Sequence, residues 1–336
     1  MIVIDENAAR RLVSPADAID AMDMAFREVS RGQARNFPVV RERLLPGPDV
    51  YGIKAGGDLA IGLLGLKIGG YWTGNRARGL TNHQSTTVLT DPETGCPTAL
   101  VSSNHLTGLR TAAACAIGIR ELARPDARVL ALIGTGGQAV HHLEAALLVR
   151  RFDRILVANR DRARAEELAA SFAGRLPVEV VDAETAARNA DVLITLTTAR
   201  EPVVQAGWVR PGTHICAMGA DTAGKQELDP AILLGAAVWV DDWAQASALG
   251  ECQHALAHGL TRESIRGTLC DVLEGKAPRR ASADEITVFD STGMGIQDLA
   301  IAAWAVRAAN AAADTAADTA AGTDTGLPIH RIDLAR

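Results

Sequence analysis

Two cations occupy positions where an apolar side chain would be the ordinary choice. Lys67 lies inside GLLGLKIGG, an apolar strand-like run, and Arg110 lies in LTGLRTAAACAIG, a helical run of small residues. An ammonium in an apolar strand is costly unless it faces a cavity or an anion; the other solution is an edge lysine that reaches water along its methylene stem. The planar fork of Arg110 suits a two-point grip on a carboxylate, and its small neighbours leave room for a ligand. Arg41 in FPVVRERLL and Lys54 in YGIKAG are further cations nearby in sequence. His83 belongs to the polar cluster Asn82-His83-Gln84-Ser85 between apolar runs. It reads either as a substrate ligand or as an ordinary hydrogen-bonding histidine. His141 and His142 read as packing and solvent residues of a helix, and His254 has no assigned role.

A second group of residues points to a dinucleotide. In RVLALIGTGGQAVHHL (128–143) an apolar run feeds Gly134-Thr135-Gly136-Gly137-Gln138-Ala139 and a helical pattern follows at once. Strand, glycine turn and helix in that order form the G-x-G-x-x-[G/A] context that binds a pyrophosphate at a helix N-terminus. The next strand ends Ala158-Asn159-Arg160-Asp161-Arg162. Asn159 at the tip, with Arg160 and Arg162 placed for a 2′-phosphate, favours NADP(H); Asp161 keeps NAD(H) open. Asp221 follows THICAMGAD, where another strand ends. An acid there could move a proton during hydride transfer, or could simply form an Asx turn or cap.

Positioning these groups takes two architectures. After residue 123, strand-like runs (154–159, 177–181, 191–196, 213–218, 237–242 and 286–291) alternate with helical patterns. That alternation predicts an α/β fold, a Rossmann doubly wound parallel sheet, over residues 124–298. Residues 1–123 instead read as a helix and then sequential antiparallel strands, with a turn at 91–95 and a long helix at 106–122. An amphipathic helix after Gly295 is expected to return to this first part, giving a discontinuous α+β domain of residues 1–123 and 299–325 for substrate binding and dimerisation. The Ala/Thr-rich stretch from 311 to 336 is expected to be a frayed helix or a partly disordered tail.

Composition narrows the class. The chain has 336 residues, 48% hydrophobic and 22% charged, with net charge −6, so nothing points to nucleic acid or an anionic membrane as partner. No signal-peptide pattern opens it, and no apolar stretch approaches the ~20 residues of a membrane span. The five cysteines are scattered without C-x-x-C spacing, which suggests reduced thiols, a cytoplasmic location and no zinc site.

The segments GLKIGGYW, LTDPETGCPTAL, LTGLRTAAA, LIGTGGQAVHH, GADTAGKQELDP and FDSTGMGIQDLA together resemble the ornithine cyclodeaminase/mu-crystallin family over about residues 1–310. The resemblance implies a homodimer whose sheet-rich domain is built from both chain ends around a Rossmann domain. It implies that Arg110 and Lys67, assisted by Arg41, hold a substrate carboxylate, and that Asp221, with Lys67, manages the proton. The cofactor would meet Thr111, Gly134, Thr135, Gly136, Gly137, Gln138, Asn159, Arg160, Arg162, Thr195, Thr197, Met218, Gly219 and Gly293. Gly69-Gly70-Tyr71-Trp72, the stretch Gly79 to Ser85, NFPVVRERLL and GECQHA are most similar to the iminosuccinate-reducing branch. A dicarboxylate needs a second polar pocket, which Lys54, Arg41 and His83 could supply. The expected activity is therefore NAD(P)H-dependent reduction of an imino acid, iminosuccinate to L-aspartate. Ornithine cyclodeamination, alanine dehydrogenation and cyclic ketimine reduction are the alternatives within the family.

Overall fold

The computed structural model describes residues 1–318 and 329–331. The chain divides into two compact units, Met1–Arg110 with Met294–Arg336, and Thr111–Gly293. These limits differ from the expected ones at 123/124 and 298/299. The first division falls within a continuous helix that no loop interrupts, and the second falls just ahead of the C-terminal helix.

The first unit opens with β1 (Ile2–Ile4), α1 (Glu6–Leu12) and α2 (Pro15–Ser30). Ser14 and Asp17 form a reciprocal capping box and Pro15 stands in the first turn, so the start of α2 is fixed locally. Then come β2 (Ala34–Asn36), β3 (Val40–Arg43), β4 (Val50–Asp58), β5 (Leu63–Tyr71), β6 (His83–Thr90), β7 (Pro97–Ser102) and α3 (Asn104–Leu122). β7-β6-β5-β4-β2 are antiparallel neighbours, and β3 also pairs with β4. β1 lies parallel to β7 and carries the terminal strand Ile329–Arg331 antiparallel on its other side. The period-2 alternation of a strand decides what this sheet buries. Leu63 and Lys67 of β5, Ser85, Thr87 and Leu89 of β6, and Ala99 and Val101 of β7 are buried on one face. The C-terminal helix, Gly295–Asp318, packs against α2, β4, β5 and β6. It extends helically into the Ala/Thr-rich stretch; residues 319–328 and 332–336 of the expected tail lie outside the described residues.

The second unit is a parallel sheet with two small additions. In chain order it contains β8 (Val129–Ile133), α4 (Ala139–Val149), β9 (Arg154–Ala158), β10 (Val178–Val180), β11 (Val192–Thr195), β12 (Arg200–Val204), β13 (His214–Ala217), β14 (Gln226–Leu228), β15 (Ala237–Val240), β16 (Ile265–Thr268) and β17 (Thr287–Asp290). The eight-stranded order is β10-β9-β8-β11-β13-β17-β15-β16, and every pairing in it is parallel. β11, β13, β15 and β17 are buried along their whole length, as strands covered on both faces must be. Strand order reverses between β8 and β11, the switch point where doubly wound sheets open a crevice at their carboxyl ends. β12 and β14 form a separate parallel pair; β14, shortly after Asp221, is not among the strand-like runs read from the sequence.

Candidate active site

Strand register assembles the cations of the first unit. Lys54 of β4 stands directly opposite Lys67 of β5, and Lys67 directly opposite Thr87 of β6. Two lysines facing each other across strands repel, so the arrangement needs an anion. Asp298, in the first turn of the C-terminal helix, provides one. Its Oδ1 accepts hydrogen bonds from Lys67 Nζ at 2.8 Å and Arg110 Nε at 2.9 Å. Arg110 Nη1 also donates to Gln297 Oε1 at 3.3 Å. Thr107, one turn before Arg110 on α3, accepts from Lys67 Nζ at 3.4 Å. Lys54, Lys67, Arg110 and Asp298 are 9%, 6%, 6% and 2% exposed, so these charges act on one another with little screening. Arg41 lies over Gly52, where a Cβ would come within 3.2 Å of its Cδ.

The electrostatics carry the mark of excess positive charge. Burial lowers Lys67 to about 8, Asp298 opposes that shift, and Arg110 and Arg41 add to it. Burial also pushes His83 down to about 3, and Lys67, Arg110 and Arg41 reinforce it, so His83 is neutral at physiological pH. For Asp298 burial acts upward, but Arg110, Lys67 and Lys54 outweigh it and hold the carboxyl at about 2. Lys67 and Arg110 thus share a single carboxylate oxygen, and a second anion would relieve the remaining repulsion.

In the second unit the glycine turn fits a dinucleotide phosphate. Gly134 has φ +102°, and a Cβ there would lie 2.9 Å from the Leu196 carbonyl carbon. Gly136 and Gly137 have nothing within 4 Å of a built Cβ, leaving room for an approaching ligand. Thr135 Oγ1 and Gln138 Oε1 are buried and have no hydrogen-bond partner among the described residues, and α4 starts without a side-chain cap. Unmatched polar atoms around an open helix start are what a bound pyrophosphate would satisfy. At the tip of β9, Asn159 Oδ1 accepts from Thr135 N at 3.4 Å and its Nδ2 donates to the Asp161 carbonyl at 2.9 Å. Arg160 is exposed, whereas Arg162 is bonded to Glu166 at 2.9 Å.

Several other anticipated residues are engaged in ways the sequence did not show. Asp221 is in contact with Lys225, Oδ1 to Nζ at 2.6 Å, and Lys225 also donates to the Gly219 carbonyl at 3.2 Å. Thr195 is fully buried and donates its hydroxyl to Glu227 Oε2 at 2.7 Å, so that hydroxyl is not presented to a ligand. Glu227 also accepts from the backbone N–H of Thr197 and from that of Gly219 at 2.8 Å, tying the ends of β11 and β13 together. Gly219 could not carry a side chain, since a Cβ would fall 2.5 Å from that carboxylate. Gly293 donates its N–H to Asp241 at 2.6 Å, and Ser291 and Thr292 bond the same carboxylate. Met218 and Thr111 are each 7% exposed.

Sequence reasoning missed Gln297, Asp298, Lys225 and Glu227. The one available signal was a pair of polar residues, Gln297-Asp298, opening an apolar helix. Among the described residues no group of His, Cys, Asp and Glu side chains could hold a metal ion, and no helix is long and apolar enough to cross a membrane. The five cysteines are free thiols, only Cys96 being exposed.

The chain is 44% identical over 310 residues to iminosuccinate reductase of Paracoccus denitrificans, covering 92% of this chain and 97% of that one. It is 39% identical to alanine dehydrogenase of Archaeoglobus fulgidus over 90% of this chain and 92% of that protein. The crystal structure of the Paracoccus denitrificans enzyme in complex with NAD+ superposes with a TM-score of 0.85 at 43% identity, over 93% of this chain and 97% of that chain. Residues 3–313 match one family description throughout, and with these likenesses they show that the chain belongs to the ornithine cyclodeaminase/mu-crystallin family.

Proposed function

We propose that this protein is an NAD(P)H-dependent imino acid reductase whose preferred substrate is the dicarboxylic imine iminosuccinate, giving L-aspartate. The observation that carries the reading is the sharing of one Asp298 oxygen by Lys67 and Arg110, with Lys54 in register beside them. A buried site with that charge balance suits an organic anion. Lys67 and Arg110 hold the α-carboxylate. Lys54, Arg41 and neutral His83 take the distal carboxylate, a role for which an ornithine-type substrate would instead require an acid. The similarity to iminosuccinate reductase supports the same substrate.

A bound dihydronicotinamide supplies the hydride; the chain's own residues orient the acid and manage protons. Gly134, Gly136, Gly137 and the α4 N-terminus would hold the pyrophosphate of the bound cofactor. Lys67, lowered to about 8 in the free protein, is the first proton-handling candidate. Asp221, paired with Lys225, is the second proton-handling candidate. Fixing the substrate by its carboxylates supplies much of the rate gain through orientation. Arg160, exposed and without an ion pair among the described residues, favours NADP(H); NAD(H), the cofactor type in the solved Paracoccus denitrificans relative, is the alternative.

The protein acts as a homodimer in this reading. The second face of the first unit's sheet presents Tyr51, Ile53, Leu64, Leu66, Ile68, Val88 and Leu100, none of them fully buried. An apolar sheet face of this kind suits a second copy. The archaeal alanine dehydrogenase of similar fold is described as a dimer.

The deciding assay follows NADPH and NADH oxidation with oxaloacetate, pyruvate and cyclic ketimines, with ammonia where an imine must form. Fastest turnover with oxaloacetate plus ammonia is expected. Ornithine converted to proline and ammonia without external cofactor would replace the reductase reading by the cyclodeaminase one.

A further inference from the structure

The functional reading leaves the substrate nitrogen without a partner, and the cation cluster contains an atom suited to it. Asp298 Oδ1 is bonded to Lys67 and Arg110, while Oδ2 of the same carboxylate is buried and has no hydrogen-bond partner among the described residues. A buried carboxylate oxygen left unmatched calls for a partner, and a ligand nitrogen is one that the neighbouring cations would bring to it. The groups joined by Asp298 are those that the functional reading assigns to the α-carboxylate. An α-imino acid carries its nitrogen on the carbon adjacent to that carboxylate, so an anion among the anchoring cations lies in the right neighbourhood. Two cations with one anion complement a zwitterion: carboxylate to the cations, protonated nitrogen to the anion.

We propose that Asp298 Oδ2 is the acceptor for the substrate nitrogen and holds the imine in its protonated, iminium form. The assignment deepens the reductase reading and rests on it. An iminium carbon accepts hydride far more readily than a neutral imine carbon, because the electron pair of the C=N bond moves onto a nitrogen that already bears positive charge. Hydride adds to carbon, the C=N π pair becomes the nitrogen lone pair, and the neutral amine then gains one proton to become the ammonium of the product. Asp298 is not the source of that proton. Its carboxyl, held at about 2 by Arg110, Lys67 and Lys54 against the upward effect of burial, is ionised throughout the working range. Its position in the first turn of the C-terminal helix further favours the anion. Lys67, bonded to the other oxygen of the same carboxylate, is a donor within the same cluster.

The test compares an amino acid with its nitrogen-free twin. Calorimetry of L-aspartate and succinate with wild type and Asp298→Asn should show aspartate affinity falling at least tenfold, with succinate affinity unchanged or tighter. Turnover of the imine should fall at least a hundredfold while NADPH binding is retained, and Asp298→Glu should restore part of the discrimination. Equal losses for both ligands, or no loss for aspartate, would overturn the assignment. If Asp298→Asn does not fold, the ¹⁵N shift of labelled L-aspartate on wild type decides: an ammonium shift persisting above the free amino acid's titration supports it, an amine shift refutes it. If wild type ignores both dicarboxylates, iminosuccinate is the wrong substrate, and L-alanine against propionate or L-proline against cyclopentanecarboxylate makes the same comparison.

Discussion

Anion binding should be coupled to the protonation of Lys67, and the coupling has a calculable size. Lys67 is lowered from 10.5 to about 8, chiefly by burial and then by Arg110 and Arg41, with Asp298 working the other way. That difference corresponds to about 3 kcal/mol of disfavour for the ammonium in the free protein. A carboxylate bound against Nζ favours the charged form, so the bound-state value moves back toward 10.5. The sign follows directly: the protonated protein binds the anion, affinity is level below pH 8, and it falls above pH 8. The slope should approach tenfold per pH unit, with a ceiling of about 300-fold if the bound lysine regains its ordinary value. Succinate is the suitable probe, because both its carboxylates are ionised over this range and His83, pushed down to about 3, does not titrate there. Calorimetry at pH 9 in buffers of different ionisation enthalpy should show uptake approaching one proton per succinate. Lys67→Arg, which cannot lose its proton, should bind more weakly in absolute terms yet show no decline above pH 8. Level wild-type affinity from pH 7 to 10, or the same decline in the arginine variant, would refute the reasoning.

Three further outcomes follow from the second unit. Gly134→Ala should abolish NADPH and NADH binding and lower Tm, since φ is +102° and the new Cβ would lie 2.9 Å from Leu196 backbone; retained cofactor fluorescence enhancement would contradict this. Arg160→Ala should raise KM for NADPH at least tenfold and leave that for NADH within twofold; equal changes would remove Arg160 from 2′-phosphate recognition. Asp290 is raised to about 7, mainly by burial, while backbone N–H donors including Cys252 act downward. A carboxyl raised above its unfolded value of 3.8 stabilises the fold most at pH below 3.8 and loses that contribution as pH rises through 7. Asp290→Asn should therefore flatten this part of the stability profile and raise stability at pH 8 by up to about 4 kcal/mol, read by urea titration; an unchanged profile would show that Asp290 does not titrate there.

The sheets and the dinucleotide turn were legible because their determinants are local. Five apolar residues followed by Gly134-Thr135-Gly136 specify a strand, a turn needing positive φ and a helix start, whatever the rest of the chain does. Lys67 and Arg110 were legible for a related reason: a charge in an apolar strand or among small helical residues violates the pattern around it. Other features depended on pairings far apart in sequence. The facing of Lys54 and Lys67 depends on the register of β4 on β5, and a slip of one residue would send one of them to the opposite face. Asp298 reaches Lys67 across 231 residues of sequence, and nothing near Gln297-Asp298 in the chain names their partners. Asp221 could be seen as an acid at a strand end, but its pairing with Lys225 depends on the fold of the intervening loop. So did the engagement of Thr195 by Glu227, contributed from the unforeseen strand β14. Local pattern sets which residues are costly to bury; only the tertiary fold decides which opposite charge is brought to them, because that choice is made by register and helix docking.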